Sequence, residues 1–117
     1  MNILILGSGI VGANLAKKLS EQGKNVYLID DNTDDLNTLS EKFDIKTISA
    51  DPLDPQFYKN FKNDINYFIA VTKSDEKNIL TCKFAKDYLG VDKTIARIRN
   101  QNLINEASDI EFKASNE

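Results

Sequence analysis

The chain has 117 residues, 41% of them hydrophobic and 28% charged, a composition that fits one globular domain and excludes fibrous and disordered classes. Its formal net charge of −3 excludes a general electrostatic attraction to nucleic acid or anionic lipid and leaves only a local basic site open. One cysteine and no histidine exclude an internal disulfide and a Cys-based zinc cluster, and remove the commonest general base and metal ligand, so no metal site is expected.

The first element is the apolar run Asn2-Ile3-Leu4-Ile5-Leu6, which breaks into Gly7-Ser8-Gly9-Ile10-Val11-Gly12 and then into a helical pattern. It reads as strand, tight turn and helix. In that setting Gly7 permits the turn, Gly9 lets the backbone approach a diphosphate, and Gly12 lets helix and strand pack closely. The first-turn amides and the positive end of the helix dipole would face the anion. Gly9 is the replacement expected to do most damage, because any Cβ there would occupy the space the diphosphate needs. The apolar start at Ile3 has no basic leader or cleavage site, and no apolar run approaches the roughly 18 residues that span a bilayer, so the chain is read as cytosolic and without membrane insertion.

Val11, Leu15 and Leu19 recur at helical spacing with Ala16 beside them, and Gly23 is the natural stop. Asn25-Val26-Tyr27-Leu28-Ile29-Asp30 follows as a second strand whose near-continuous apolar run suits a buried parallel sheet. Strand, helix and strand in about 30 residues make a βαβ unit. Asp30 closes that unit about 20 residues beyond the glycines, where a dinucleotide fold places the carboxylate that accepts hydrogen bonds from the adenosine ribose. Such a carboxylate would repel a 2′-phosphate and favour NAD over NADP. Asp31 is a second candidate beside it, and a solvated turn through Asp30, Asp31 and Asn32 is the competing reading.

A second helix starts near Thr33 or Asp34 and carries Leu36, Leu39 and Phe43. Lys46-Thr47-Ile48-Ser49-Ala50 is a third strand ending at Asp51-Pro52, and Asp54-Pro55 caps a short helix presenting Phe57 and Phe61. Asp51 lies at the carboxyl end of the third strand, within reach of an adenine, or is an ordinary turn aspartate. The fourth strand, Tyr67-Phe68-Ile69-Ala70-Val71, runs into Thr72-Lys73-Ser74-Asp75-Glu76-Lys77-Asn78. In a doubly wound sheet the order reverses between the first and fourth strands, and ligands bind beyond their carboxyl ends. Thr72, Ser74 and Asn78 are therefore candidates to line that crevice, Thr72 foremost, with helix capping the competing role of Ser74 and Asp75.

The next helix carries Ile79, Leu80, Cys82, Phe84, Ala85, Tyr88 and Leu89 and stops at Gly90. Cys82 is read as a small buried hydrophobe, since no histidine exists to activate it. Thr94-Ile95-Ala96-Arg97-Ile98-Arg99 reads as a strand with two arginines at period two, candidates for a phosphate or a subunit interface. Beyond Asn100 the pattern weakens. A short helix is expected around Leu103 to Ala107, with Ile110 and Phe112 as further packing points, and the close on Lys113-Ala114-Ser115-Asn116-Glu117 is compatible with a chain cut from something longer.

Four blocks thus stand in order: Gly7-Ser8-Gly9-Ile10-Val11-Gly12, Leu28-Ile29-Asp30, Val71-Thr72-Lys73-Ser74-Asp75-Glu76-Lys77-Asn78 and Ile95-Ala96-Arg97-Ile98-Arg99. Together they resemble the TrkA N-terminal family, the nucleotide-binding domain of regulators of potassium conductance in Trk-type potassium uptake systems. The last two blocks are the specific ones, since many dehydrogenases share the first two. The resemblance implies an α/β, Rossmann-like doubly wound parallel sheet with helices on both faces. It implies a cytoplasmic regulatory module and not an enzyme, peripheral at the inner face of the membrane and attached to a potassium channel or transporter subunit. Members bind NAD or NADH, or ATP or ADP, and assemble as dimers and rings. By the resemblance Gly7, Ser8, Gly9, Ile10, Val11 and Gly12 would cradle the phosphates and Asp30 the ribose. Asp51 would lie by the adenine, Thr72 and Lys73 along the cleft, and Arg97 or Arg99 near a terminal phosphate. The alternative is the cofactor domain of a truncated NAD-dependent dehydrogenase, which the lack of histidine and of a second domain disfavours.

Overall fold

Strands that are apolar on both faces have no side to turn to water, so both faces must be covered by helices. The computed structural model, which describes residues 1–103 and 113–115, places such strands at the centre of a six-stranded parallel sheet. Strands β1 (Asn2–Leu6), β2 (Asn25–Asp30), β3 (Lys46–Ser49), β4 (Tyr67–Ala70), β5 (Lys93–Arg97) and β6 (Lys113–Ser115) stand in the order β3-β2-β1-β4-β5-β6. Helices α1 (Ile10–Glu21), α2 (Thr33–Lys42), α3 (Pro55–Asn60) and α4 (Asp75–Tyr88) connect the first five strands. The chain steps outward from β1 to β3, then returns through α3 to β4 on the other side of β1. That reversal opens a crevice at the carboxyl ends of β1 and β4.

The pleat sends alternate side chains to opposite faces. Ile3 and Ile5 of β1, Val26 and Leu28 of β2 and Ile69 of β4 form one core with Ala16 of α1 and Leu36 of α2. Leu4, Leu6, Tyr27, Ile29, Phe68, Ala70, Ala96 and Ile98 form the other, with Tyr58 of α3 and Cys82 and Ala85 of α4. The fully buried Tyr58 keeps its hydroxyl satisfied by donating to the Pro52 carbonyl at 2.7 Å. The doubly wound, Rossmann-like architecture expected from the sequence is therefore the one observed.

Two segments differ from expectation. β5 stops at Arg97 instead of continuing to Arg99, because the amides of Arg99 and Asn100 are taken by the Asp75 carboxylate, at 3.0 and 2.9 Å. Lys113-Ala114-Ser115, with no periodic signature, forms β6 by parallel pairing with Ile95, Ala96 and Arg97. Of the expected helix near Leu103, residues 101–103 are helical, while Ile104 to Ala107 and the packing points Ile110 and Phe112 lie outside the described residues. Among the described residues no helix is long and apolar enough to cross a membrane.

Candidate functional site

A cleft of about 650 Å³ opens at the carboxyl ends of the central strands. Its floor is the turn from β1 into α1. Gly7 has φ +116°, a conformation that side chains disfavour, and a Cβ there would also press on Val71 and the Thr72 amide at 3.2 Å. Gly12 is buried against the turn, and a Cβ on it would run into the Gly7 carbonyl. Gly9 differs from both: its φ of −68° suits any residue, and a Cβ would meet nothing within 4 Å. Two glycines of the motif therefore serve the turn, and Gly9 leaves open space in the cleft. Ile10, on the first turn of α1, is 83% exposed, so its side chain contributes little to the core.

Helices α2, α3 and α4 each begin with a side-chain cap, from Asn32, Asp54 and Ser74. α1 begins at Gly9, has no side-chain cap and carries no acid in its first turn. Its leading amides, which have no partner inside the helix, are thus left at the cleft with the positive end of the dipole.

On the β2 side of this floor the cleft is acidic, lined by Asp30, Asp31 and Asp35. Asp30 Oδ2 accepts from Ser8 N at 2.7 Å and Ser8 Oγ at 2.8 Å, and its Oδ1 accepts from Asn32 N at 3.0 Å. Burial pulls this carboxyl upward, but the hydrogen bonds from Asn32 and Ser8 outweigh it and hold the group below its ordinary value. On the β4 and β5 side the cleft is basic, lined by Lys73, Lys77, Arg97 and Arg99. The strand order is what separates the two charges, since β2 and β4 flank β1 on opposite sides.

Behind the basic side a polar knot joins the ends of β4 and β5. Asn78 is fully buried; its Oδ1 accepts from Thr72 N at 3.0 Å and Thr72 Oγ1 at 2.7 Å, and its Nδ2 donates to Thr72 O at 3.0 Å and Arg97 O at 2.8 Å. All four hydrogen-bonding positions of the amide are used. A second cavity of about 490 Å³ runs between α1 and the β4–β5 face and shares Val11, Val71 and Arg97 with the cleft.

The structure brings Gly7, Ser8, Gly9, Ile10, Val11, Asp30, Asp31, Thr72, Lys73, Arg97 and Arg99 to one cleft. It does not bring Gly12, which is buried behind the turn, nor Asp51, whose Oδ1 accepts from Leu53 N at 3.0 Å in a tight turn while its neighbour Pro52 lines the wall. Ser74 and Asn78 do not line it either: Ser74 caps α4 through Lys77 N at 3.1 Å, and Asn78 is the knot just described. Lys77 and Asp35 are lining residues that motif reading passed over. Both sit in the first turn of a helix that starts at the cleft, which is the signal that could have found them.

The family model of the TrkA-N domain matches residues 3–114. The Trk system potassium uptake protein TrkA of Haemophilus influenzae is 35% identical over 107 residues, covering 91% of this chain and 23% of that protein. The chain therefore spans about a quarter of the length of that relative. Among solved structures, the NAD(P)-binding domain of an exopolyphosphatase-related protein from Archaeoglobus fulgidus superposes with a TM-score of 0.85 at 21% identity, over 97% of this chain and 85% of that one. The GsuK channel bound to NAD superposes with a TM-score of 0.82 at 20% identity, over 97% of this chain and 21% of that one. At such identities the two superpositions speak for the fold.

Proposed function

The chain belongs to the TrkA-N domain family, and on that premise we propose that it is a regulatory nucleotide-binding domain of a potassium channel or transporter. NAD or NADH, with ATP or ADP at the same site, binds in the cleft, and exchange between them changes the geometry of a dimer or higher ring of these domains. The domain works in the cytoplasm, peripheral at the inner face of the membrane through its transport subunit. The carrying observation is the uncapped start of α1 at Gly9, where backbone amides face space that a side chain would fill. A diphosphate satisfies such amides and needs that space.

The flanking charges favour one orientation of the ligand. Asp30, an acceptor held ionised by its donors, suits ribose hydroxyls, and Asp31 lies beside it. Thr72 and Lys73 follow the cleft toward Arg97 and Arg99, where a further phosphate or the second half of a dinucleotide would lie. The GsuK channel structure contains NAD, which supports the dinucleotide as one ligand. Regulation follows only if two ligands favour two assemblies to different extents, since a nucleotide that binds both equally shifts nothing. A triphosphate and a dinucleotide differ in charge where the basic end begins.

The test is equilibrium titration with NADH, NAD, ATP, ADP and NADP, repeated with Asp30→Ala and Gly9→Val. Saturable binding of NADH or ATP that both substitutions weaken is expected, with NADP weaker than NAD. No binding at millimolar concentration sinks the reading. Scattering profiles of the chain with ATP and with NADH address the switch, and indistinguishable profiles would rule it out for this domain.

A further inference from the structure

Two polar residues outside the cleft hold the segment that carries its arginines. β5 ends at Arg97, and past Ile98 two successive backbone amides, those of Arg99 and Asn100, donate to a side chain. Asp75, the first residue of α4, takes both: Oδ1 accepts from Arg99 N at 3.0 Å and Oδ2 from Asn100 N at 2.9 Å. One turn further on, Asn78 Nδ2 donates to the Arg97 carbonyl at 2.8 Å while the same side chain binds Thr72 on three sides. Neither Asp75 nor Asn78 lines the cleft, yet Arg97, Arg99 and Thr72 all do.

Two guanidinium groups brought to one wall repel each other, and the second sits past the end of a strand, where an unanchored backbone would swing away. We infer that Asp75 and Asn78 are positioning residues that clamp the carboxyl end of β5 to the first turn of α4 and so present Arg97 and Arg99 together to the basic end of the cleft. Helix capping does not need this arrangement, because Ser74 already caps α4. The clamp orders the segment before the ligand arrives, so a phosphate group reaching the arginines does not have to order it. The inference rests on the nucleotide-binding reading above.

A double-mutant cycle on the full chain separates a clamp from a general structural role. ATP is titrated into wild type, Asp75→Ala, Arg99→Ala and the double variant, with Asp75→Asn, which keeps one acceptor oxygen, as an intermediate and Glu76→Ala as a control. Asp75→Ala should weaken ATP about tenfold in the wild-type background and less than about twofold when Arg99 is already Ala, since the lost contact is the one Asp75 held in place. Backbone amide exchange of Arg99 and Asn100 should accelerate in Asp75→Ala and stay unchanged in Glu76→Ala. Equal losses in both backgrounds, unchanged ATP affinity in Asp75→Ala, or unchanged exchange of the two amides would overturn the clamp while leaving nucleotide binding intact. Wild type that binds neither ATP nor NADH overturns the nucleotide reading and the clamp with it.

Discussion

Asp30 Oδ2 accepts two hydrogen bonds from Ser8, one from the backbone and one from the hydroxyl, so the end of β2 is tied to the glycine turn after β1. Burial raises the carboxyl of Asp30, and the hydrogen bonds from Asn32 and Ser8 outweigh it, so its folded-state pKa lies below 3.8. A carboxylate with a depressed folded pKa contributes stability that is present above its unfolded value and lost as pH falls through the folded one. The gap between thermal melts of ligand-free wild type and Asp30→Ala should therefore stay constant from about pH 7 to pH 5 and narrow progressively as pH falls below about 4 and through the folded value. A gap already closed at pH 5 would contradict the assignment.

Gly12→Ala and Gly9→Ala should separate folding from binding. At Gly12 a Cβ runs into the Gly7 backbone carbonyl and lies 3.3 Å from Val71 Cγ2, so the backbone itself must shift and the cost should be about 3 kcal/mol or more in denaturant unfolding. At Gly9 the added methyl meets nothing, and stability should stay within about 0.5 kcal/mol of wild type. Nucleotide binding should nevertheless fall steeply in Gly9→Ala. Wild-type affinity in that variant would show that the open space is not used.

Asn78→Leu keeps the volume of the side chain and removes every hydrogen bond of the knot. It would leave Thr72 and the Arg97 carbonyl without their buried partner, at a cost of about 3 kcal/mol or more. Urea unfolding measures the loss, and a variant as stable as wild type would mean that the knot relaxes onto water.

Cys82 is 1% exposed, and burial pushes its thiol up to about 12 from an ordinary 9.0. A thiol-reactive dye at about pH 8 should leave the native chain unlabelled and label one site after unfolding. The raised value also fixes a sign: the neutral thiol contributes stability that is fully present below pH 9.0 and lost as pH rises toward 12. Cys82→Ala should accordingly lose less stability than wild type on going from about pH 8 to pH 10.5. Rapid native labelling at about pH 8 would contradict the burial.

The elements were legible because each carries its own local signal. Ile3 to Leu6 and Val26 to Ile29 are apolar without alternation, Asp54-Pro55 starts a helix, and the glycine spacing marks the first turn. What escaped depends on which partner each polar side chain finds, near or far in sequence. The position of Asp51 at a strand end is readable, but whether its carboxylate turns to the cleft or back to Leu53 N is decided by the local turn. The early end of β5 depends on Asp75, 24 residues before Arg99, which competes for the amides. Ser74 and Asn78 had the chemistry of lining residues, yet helical geometry turns Asn78 inward against Thr72 and Arg97. β6 has no pattern of its own and is defined only by pairing with β5.

The bare start of α1 would make a bound anion a structural component of the domain. Helices α2, α3 and α4 carry their own caps, whereas an anion seated at Gly9 would supply the one that α1 lacks. Occupancy then adds to folding stability by mass action, about 2.7 kcal/mol at a hundredfold excess over Kd. On the proposed reading, the domain would register nucleotide level through its own resistance to unfolding.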